Sequence, residues 1–321
     1  MKIIKWGILG LGKIAHKFAE DLNLVNNSEL IAVASRSKEN SEKFAKKFHV
    51  KKAYNSYLDL AKDTEVDAIY IATPHSFHNA HSILCLQNKK AVLCEKPFAM
   101  NLLEVEEMIH VAKDNRVLLM EALWTSFLPH FQYILNLVKS NEFGKILKLE
   151  ADFGFYTPFT NKSRVFKKEV GGGSLLDIGI YPIFTAISTL GKPNNIIAEA
   201  TFFENGADSS CSMIFEYDNV KAHLKSTLLE ETKTEAIFTL EKAVLKINTR
   251  FHEPSTITII KNGKEEVIDF NYKSIGYNYE IEHFNDLLRK SKTESDVMTF
   301  EFSKNLINTI DSVREIINLN Y

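Results

Sequence analysis

Lys5-Trp6-Gly7-Ile8-Leu9-Gly10-Leu11-Gly12-Lys13-Ile14-Ala15 decides how the first part of this chain reads. An apolar run, Ile3 to Leu9, meets a glycine-rich turn, and a helical pattern follows. That strand–turn–helix context is what a dinucleotide fingerprint requires. Gly10 permits the tight turn, and Gly12 lets the backbone approach a pyrophosphate. Ala15 stands at the third glycine position and keeps helix and strand close. The helix start, Lys13 and Ile14, offers unpaired N–H groups and the positive end of a helix dipole to phosphate.

The next apolar run, Leu30 to Ala34, ends in Ser35-Arg36-Ser37-Lys38. In an NAD site an acid at this strand end, about 20 residues past the glycines, holds the ribose hydroxyls. No acid stands there. Ser35, Arg36 and Lys38 do, and a guanidinium binds phosphate oxygens in a planar fork. The expected cofactor is therefore NADP, with NAD less favoured. Asp67 to Ala72 reads as a buried strand that ends in Thr73-Pro74-His75. Open α/β sheets bind ligands at such carboxyl ends, so Thr73, Pro74, His75 and His78 are placed near the cofactor.

Two further segments carry chemistry: Cys94-Glu95-Lys96-Pro97, and Gly171-Gly172-Gly173-Ser174-Leu175-Leu176-Asp177-Ile178-Gly179-Ile180-Tyr181. Oxidising an alcohol removes a hydroxyl proton as hydride leaves carbon. Free tyrosine, with a pKa near 10, is a poor base at neutral pH, and a neighbouring ammonium favours its phenolate. Lys96 can supply that charge to Tyr181. Asp177, four residues before Tyr181, shares its helical face and can orient Lys96 or a substrate hydroxyl.

Gly-Leu-Gly-Lys-Ile-Ala at 10–15, Thr-Pro-His-x-x-His at 73–78, Glu-Lys-Pro at 95–97 and Gly-Gly-Gly-x-Leu-Leu-Asp-Ile-Gly-x-Tyr at 171–181 occur in that order. Together they resemble the glucose–fructose oxidoreductase/inositol dehydrogenase/MocA family over essentially the whole chain. The resemblance implies an N-terminal Rossmann domain, a C-terminal α/β domain with an open sheet, and NAD(P)-dependent redox chemistry on sugars, cyclitols and related alcohols. It implies that Lys96 is catalytic and adds Glu95 to the cofactor residues. Many members end the last motif in histidine; with Tyr181 there, tyrosine takes the acid/base role. Tyr181, with Glu121 to Phe127 upstream, is similar to the branch that holds dimeric dihydrodiol dehydrogenase and NADP-dependent xylose dehydrogenase. That branch implies NADP, Trp124 at the substrate and cofactor pocket, and Arg164 approaching the cofactor.

With 321 residues, 45% hydrophobic and 25% charged, the chain reads as two globular domains. The expected boundaries are 1–124 for the NADP-binding Rossmann domain and 125–321 for a substrate-binding and oligomerisation domain of α+β type. Strands are read at 3–9, 30–35, 67–72, 91–94 and 117–121, with helices at about 13–23, 39–48, 77–88 and 102–114. Beyond 124 the reading is β-rich: strands at 145–156, 196–204, 210–217, 220–228, 234–241, 244–249, 255–261 and 265–270. Helices at about 174–190, 277–291 and 300–318 accompany them. Asn-Gly and Asp-Asn turns between these runs predict a mostly antiparallel sheet. A free sheet face there suggests a homodimer or homotetramer.

A net charge of -2 does not favour nucleic acid or an anionic membrane. The three cysteines have neither zinc nor redox spacing. No signal peptide or bilayer-length apolar run is read, so a cytoplasmic location is expected. His75, His78 and His81 drift around a helix and are not read as a metal site, with His81 packed or facing solvent. The triple glycine is read as a mobile loop over the substrate, with 153–170 and 228–252 shaping specificity. The alternatives are a non-catalytic NADP-binding redox sensor and an NAD-dependent glycoside-cleaving enzyme of the same family.

Overall fold

The computed structural model describes residues 2–160 and 163–321; residues 161 and 162, within the 153–170 stretch, lie outside the described residues. The chain forms two compact units, Met1–Phe127 with Lys273–Lys304, and Leu128–Tyr272 with Asn305–Tyr321.

In the first unit strands and helices alternate: β1 (Ile4–Leu9), α1 (Lys13–Leu22), β2 (Ser28–Ala34), α2 (Lys38–Phe48), β3 (Lys52–Tyr54), α3 (Tyr57–Lys62), β4 (Ala68–Ile71), α4 (His78–Gln87), β5 (Ala91–Glu95), α5 (Leu102–Asn115) and β6 (Leu119–Ala122). The six strands form one parallel sheet in the order β3-β2-β1-β4-β5-β6. This is the Rossmann order, which reverses direction between β1 and β4 and opens a ligand crevice at their carboxyl ends. Four residues of β4 and all five of β5 are buried, as expected for strands covered on both faces. β3 and α3 are short additions that the sequence reading passed over.

The second unit comprises α6 (Pro129–Ser140), β7 (Ile146–Gly154), α7 (Ile180–Leu190), β8 (Asn195–Phe202), β9 (Asp208–Glu216), β10 (Lys221–Thr227), β11 (Ala236–Leu240), β12 (Val244–Ile247), β13 (Ile257–Lys261) and β14 (Lys264–Ile268). Its eight strands run β14-β13-β12-β11-β7-β10-β9-β8. Every pairing is antiparallel except β7 with β10. Along β10, Ala222, Leu224 and Ser226 are buried while Lys221 and His223 are exposed, so one sheet face is packed and the other open. α6 is absent from the sequence reading. Its Pro129 takes the first helical position, where a missing N–H costs nothing, and Phe131, Ile134 and Leu137 form its buried stripe.

Two helices close the chain, α8 (Tyr277–Arg289) and α9 (Phe300–Ile316). α8 belongs to the first unit rather than to a second domain running from 125 to 321. The Asp21 carboxylate accepts the backbone N–H groups of Gly276, Tyr277 and Asn278 at the start of α8, at 2.8, 2.7 and 3.3 Å. An acid at a helix N-terminus satisfies unpaired donors and complements the dipole. Trp6 Nε1 donates to Asn285 Oδ1 farther along the same helix at 3.1 Å.

Against the expectation of no bilayer-length apolar run, Lys168–Leu190 is long and apolar enough by composition to cross a membrane; 89% of its most apolar window is buried inside the protein.

Candidate functional site

The glycine turn follows β1. Gly10 has φ +91°, and a Cβ there would lie 2.8 Å from Thr73 Cγ2 and 2.9 Å from the Ala72 carbonyl oxygen. Gly10 is thus demanded by the chain's own packing. Gly12 is the N-cap of α1, and a Cβ there would meet nothing within 4 Å. The open space over Gly12, with Lys13 and Ile14 starting the helix beyond it, fits a pyrophosphate brought against backbone N–H groups.

At the end of β2, Ser35 Oγ accepts the Ser37 N–H at 3.2 Å, and Ser37 Oγ caps α2 by accepting the Asn40 N–H. Arg36 is exposed, its guanidinium carbon 5.9 Å from the Phe77 ring centre. Lys38 is turned along α2 toward Glu42, 3.8 Å away.

At the end of β4, Thr73 Oγ1 contacts His81 Nδ1 at 3.0 Å. Pro74 starts a short 3-10 turn, His75–Phe77, in which His75 is buried. The His78 ring bridges two carbonyl oxygens, Thr73 and Pro97, each at 2.8 Å. It ties the end of β4 to the loop that carries Lys96. His75 and His78 have ring centres 5.7 Å apart. Among the described residues no group of three or more His, Cys, Asp or Glu side chains is arranged to hold a metal ion.

Lys96 follows β5, half-buried and joined to Pro97 by a cis peptide bond. The buried Glu95 carboxylate accepts from the Tyr70 hydroxyl and from the Lys96 backbone N–H. Trp124 is buried and stacked on Tyr277, 4.4 Å between ring centres.

Two buried carboxyls of the first unit escaped the sequence reading as functional groups. Glu121 on β6 is buried; it accepts the Phe98 N–H at 3.0 Å and the Ser303 hydroxyl at 2.6 Å. Burial pushes its carboxyl up to about 7, against the pull of those hydrogen bonds and of Lys96. Glu280 on α8 is also buried, and among the described residues neither carboxylate oxygen has a hydrogen-bond partner. Burial, with the charges of Glu95 and Asp21, pushes it well above the ordinary carboxylate range. The available signal was a lone acid within the apolar stretch Leu119-Met120-Glu121-Ala122.

In the second unit, Asp177 lies in a π-helical turn, Leu175–Gly179, that leads into α7 and Tyr181. Such turns recur at functional sites. Arg164 Nη2 donates to Asp177 Oδ1 at 2.8 Å, so this pair meets within one unit. Tyr181 is buried beside His252 and Phe153, at ring-centre distances of 4.8 and 5.8 Å.

The triple glycine before this helix is buried structure, not the mobile loop read from the sequence. Gly171 and Gly173 have φ of +78° and +131°, and a Cβ at Gly172 would lie 2.6 Å from the Arg164 carbonyl oxygen. Gly173 makes room for Asp208, whose Oδ2 accepts the Ser174 hydroxyl and the Leu175 N–H, both at 2.7 Å. Asp208 thereby anchors the start of the helix that bears Asp177 and Tyr181.

The first unit is a dinucleotide-binding Rossmann fold with its glycine turn at the sheet's switch point. Residues 4–123 match the "Oxidoreductase family, NAD-binding Rossmann fold", and residues 131–245 match the "GFO/IDH/MocA C-terminal domain". Trans-1,2-dihydrobenzene-1,2-diol dehydrogenase of Xenopus laevis is 34% identical over 99% of both chains. The scyllo-inositol 2-dehydrogenase (NADP(+)) IolU of Bacillus subtilis is 32% identical over 99% of this chain and 98% of its own. The fold is shared with aldose-aldose oxidoreductase from Caulobacter crescentus, at a TM-score of 0.90 and 18% identity over 99% of this chain and 98% of that one. The chain belongs to the GFO/IDH/MocA family of dinucleotide-dependent oxidoreductases.

Proposed function

We propose that this protein transfers hydride between NADP(H) and a CH–OH group of a sugar, cyclitol or trans-diol. The observation that carries the reading is the pairing of an open Gly12 turn with Arg36, in place of an acid, at the end of β2. Two full-length relatives support it, one named for a trans-diol and one for an inositol with NADP.

When bound, the nicotinamide takes or returns the hydride. The Tyr181 hydroxyl moves the proton of the substrate oxygen, accepting it during oxidation and donating it during reduction. Lys96 contributes an ammonium that favours the phenolate. Asp177, held by Arg164, orients the substrate hydroxyl. Thr73, Pro74, His75 and His78 border the cofactor at the end of β4, Glu95 supports Lys96 from the end of β5, Ser35 and Lys38 flank Arg36, and Trp124 lines the pocket.

The open face of the second sheet supports self-association. Across it Ile197 pairs with Ile214, Ile214 with His223, and His223 with Glu150, a row in which Ile197 is an exposed large apolar side chain. We assign a homodimer or homotetramer to that face, which sedimentation would test. The three buried free cysteines suit a reducing compartment, in keeping with a cytoplasmic location.

The deciding experiment compares wild type with Tyr181→Phe, following NADP+ reduction with aldoses, inositols and trans-diols. The variant is expected to fold and bind NADPH but to lose at least about a hundredfold in kcat, the scale of a general acid–base contribution. Undiminished turnover would remove Tyr181 from the mechanism.

A further inference from the structure

Arg36 and Phe77 come from the carboxyl ends of β2 and β4, the two strands that flank β1 and its glycine turn. Phe77 keeps 37% of its surface exposed. One neighbour is the Arg36 guanidinium, 5.9 Å from the ring centre, within the range of a cation–π attraction. Another is His81, whose ring stacks nearly parallel to it, 5.6 Å between centres and 15° between planes.

His81 is itself fixed. Its Nδ1 meets Thr73 Oγ1 at 3.0 Å, and Tyr57 packs edge-on at 4.8 Å. Burial and the charge of Arg36 hold the imidazole down to about 4, so it is neutral at physiological pH and does not repel the guanidinium. Arg36 and His81 thus both lie against the Phe77 ring, and His81 is held in turn by Thr73 and Tyr57. An exposed arginine otherwise carries considerable rotamer freedom, which binding a phosphate must remove. A contact that removes it beforehand raises affinity for whatever the guanidinium binds.

We propose that Phe77, braced by His81, sets the preference of this site for a 2′-phosphorylated dinucleotide by holding Arg36 where that phosphate arrives. Phe77 is a positioning residue here: it acts through Arg36. The inference rests on the assignment of Arg36 to the 2′-phosphate.

The test is a set of binding titrations on the full chain with NADPH and NADH, read by calorimetry. Phe77→Leu keeps an apolar side chain and loses the π face. It is expected to weaken NADPH binding about two- to fivefold, the scale of an exposed cation–π contact, while leaving NADH binding unchanged. Phe77→Tyr, which keeps the π face, should retain the wild-type ratio. In an Arg36→Ala background, Phe77→Leu should have no further effect on NADPH, since the interaction it supports is gone. Equal weakening of both dinucleotides, no weakening of NADPH, or additive losses in the double variant would each overturn the inference. Arg36→Ala alone separates the two levels. If it leaves the NADPH:NADH ratio unchanged, the 2′-phosphate assignment fails. If it collapses the ratio while Phe77→Leu leaves it intact, only the role of Phe77 fails.

Discussion

Replacing Glu121 by Gln should change how stability depends on pH. Glu121 is fully buried, and its carboxyl rises from 4.5 to about 7 in the folded protein. The folded state therefore holds this proton more tightly than the unfolded chain, so stability is greatest at low pH. It is lost as pH rises from 4.5 toward 7, and the loss levels off above 7. At 1.36 kcal/mol per pKa unit the full effect is about 3 kcal/mol. Between pH 5 and pH 8 about 2–3 kcal/mol of it should be read. Gln keeps an oxygen for the Phe98 N–H and presents an amide to the Ser303 hydroxyl, which can accept as well as donate. Any remaining hydrogen-bond difference is independent of pH and cancels when the two pH values are compared. Both tryptophans, Trp6 and Trp124, lie in the same compact unit as Glu121, so tryptophan fluorescence in urea follows the relevant unfolding. The variant should gain about 2–3 kcal/mol on wild type between pH 5 and pH 8. Parallel curves, within about 0.5 kcal/mol, would refute a Glu121 that takes up its proton near neutrality.

Glu280→Gln should stabilise the protein at pH 8, because the unfolded chain gains the ionised carboxyl freely while burial in the folded state disfavours it; urea midpoints should converge with wild type toward pH 5, and a constant offset would disprove the cause. Gly173→Ala, at φ +131° and against Asp208, should cost at least about 2 kcal/mol, seen as a lower melting temperature; an unchanged one would show that the buried loop can give way. Gly12→Ala should alter stability by less than about 1 kcal/mol while weakening NADPH binding at least about tenfold; undiminished affinity would mean that the phosphates bind elsewhere.

The parts of the fold legible in the sequence are those written in local patterns. The alternation of apolar runs and helical stretches gave the parallel sheet, with strand ends within two residues of those observed for β1, β2, β4, β5 and β6. The return of α8 to the first unit was not legible, because it depends on Asp21 meeting backbone donors more than 250 residues away. No local window contains both partners. Glu121 and Asp208 were hidden for the same reason: their chemistry is set by burial, and burial is a property of the assembled layers. Arg36 stood out by type and position, but Phe77, which lies against its guanidinium, follows β4, and no local window contains both.

The glycines show how far a signature can be taken. Gly10, Gly172 and Gly173 look alike in sequence to Gly12, and each invites a ligand or a moving loop as its explanation. In the structure three of them are accounted for by the chain itself: Thr73 and Ala72 fill the space beside Gly10, Arg164 and Lys167 that beside Gly172, and Asp208 that beside Gly173. A Cβ at Gly12 would meet nothing within 4 Å, at an ordinary φ of -77°. Neither backbone strain nor packing requires glycine there, and an N-cap tolerates other small residues. We propose that Gly12 answers to something outside the chain that must come closer than a Cβ permits. At the N-terminus of α1, where unpaired N–H groups and a positive dipole end converge, that partner is an anion, and a pyrophosphate meets both requirements.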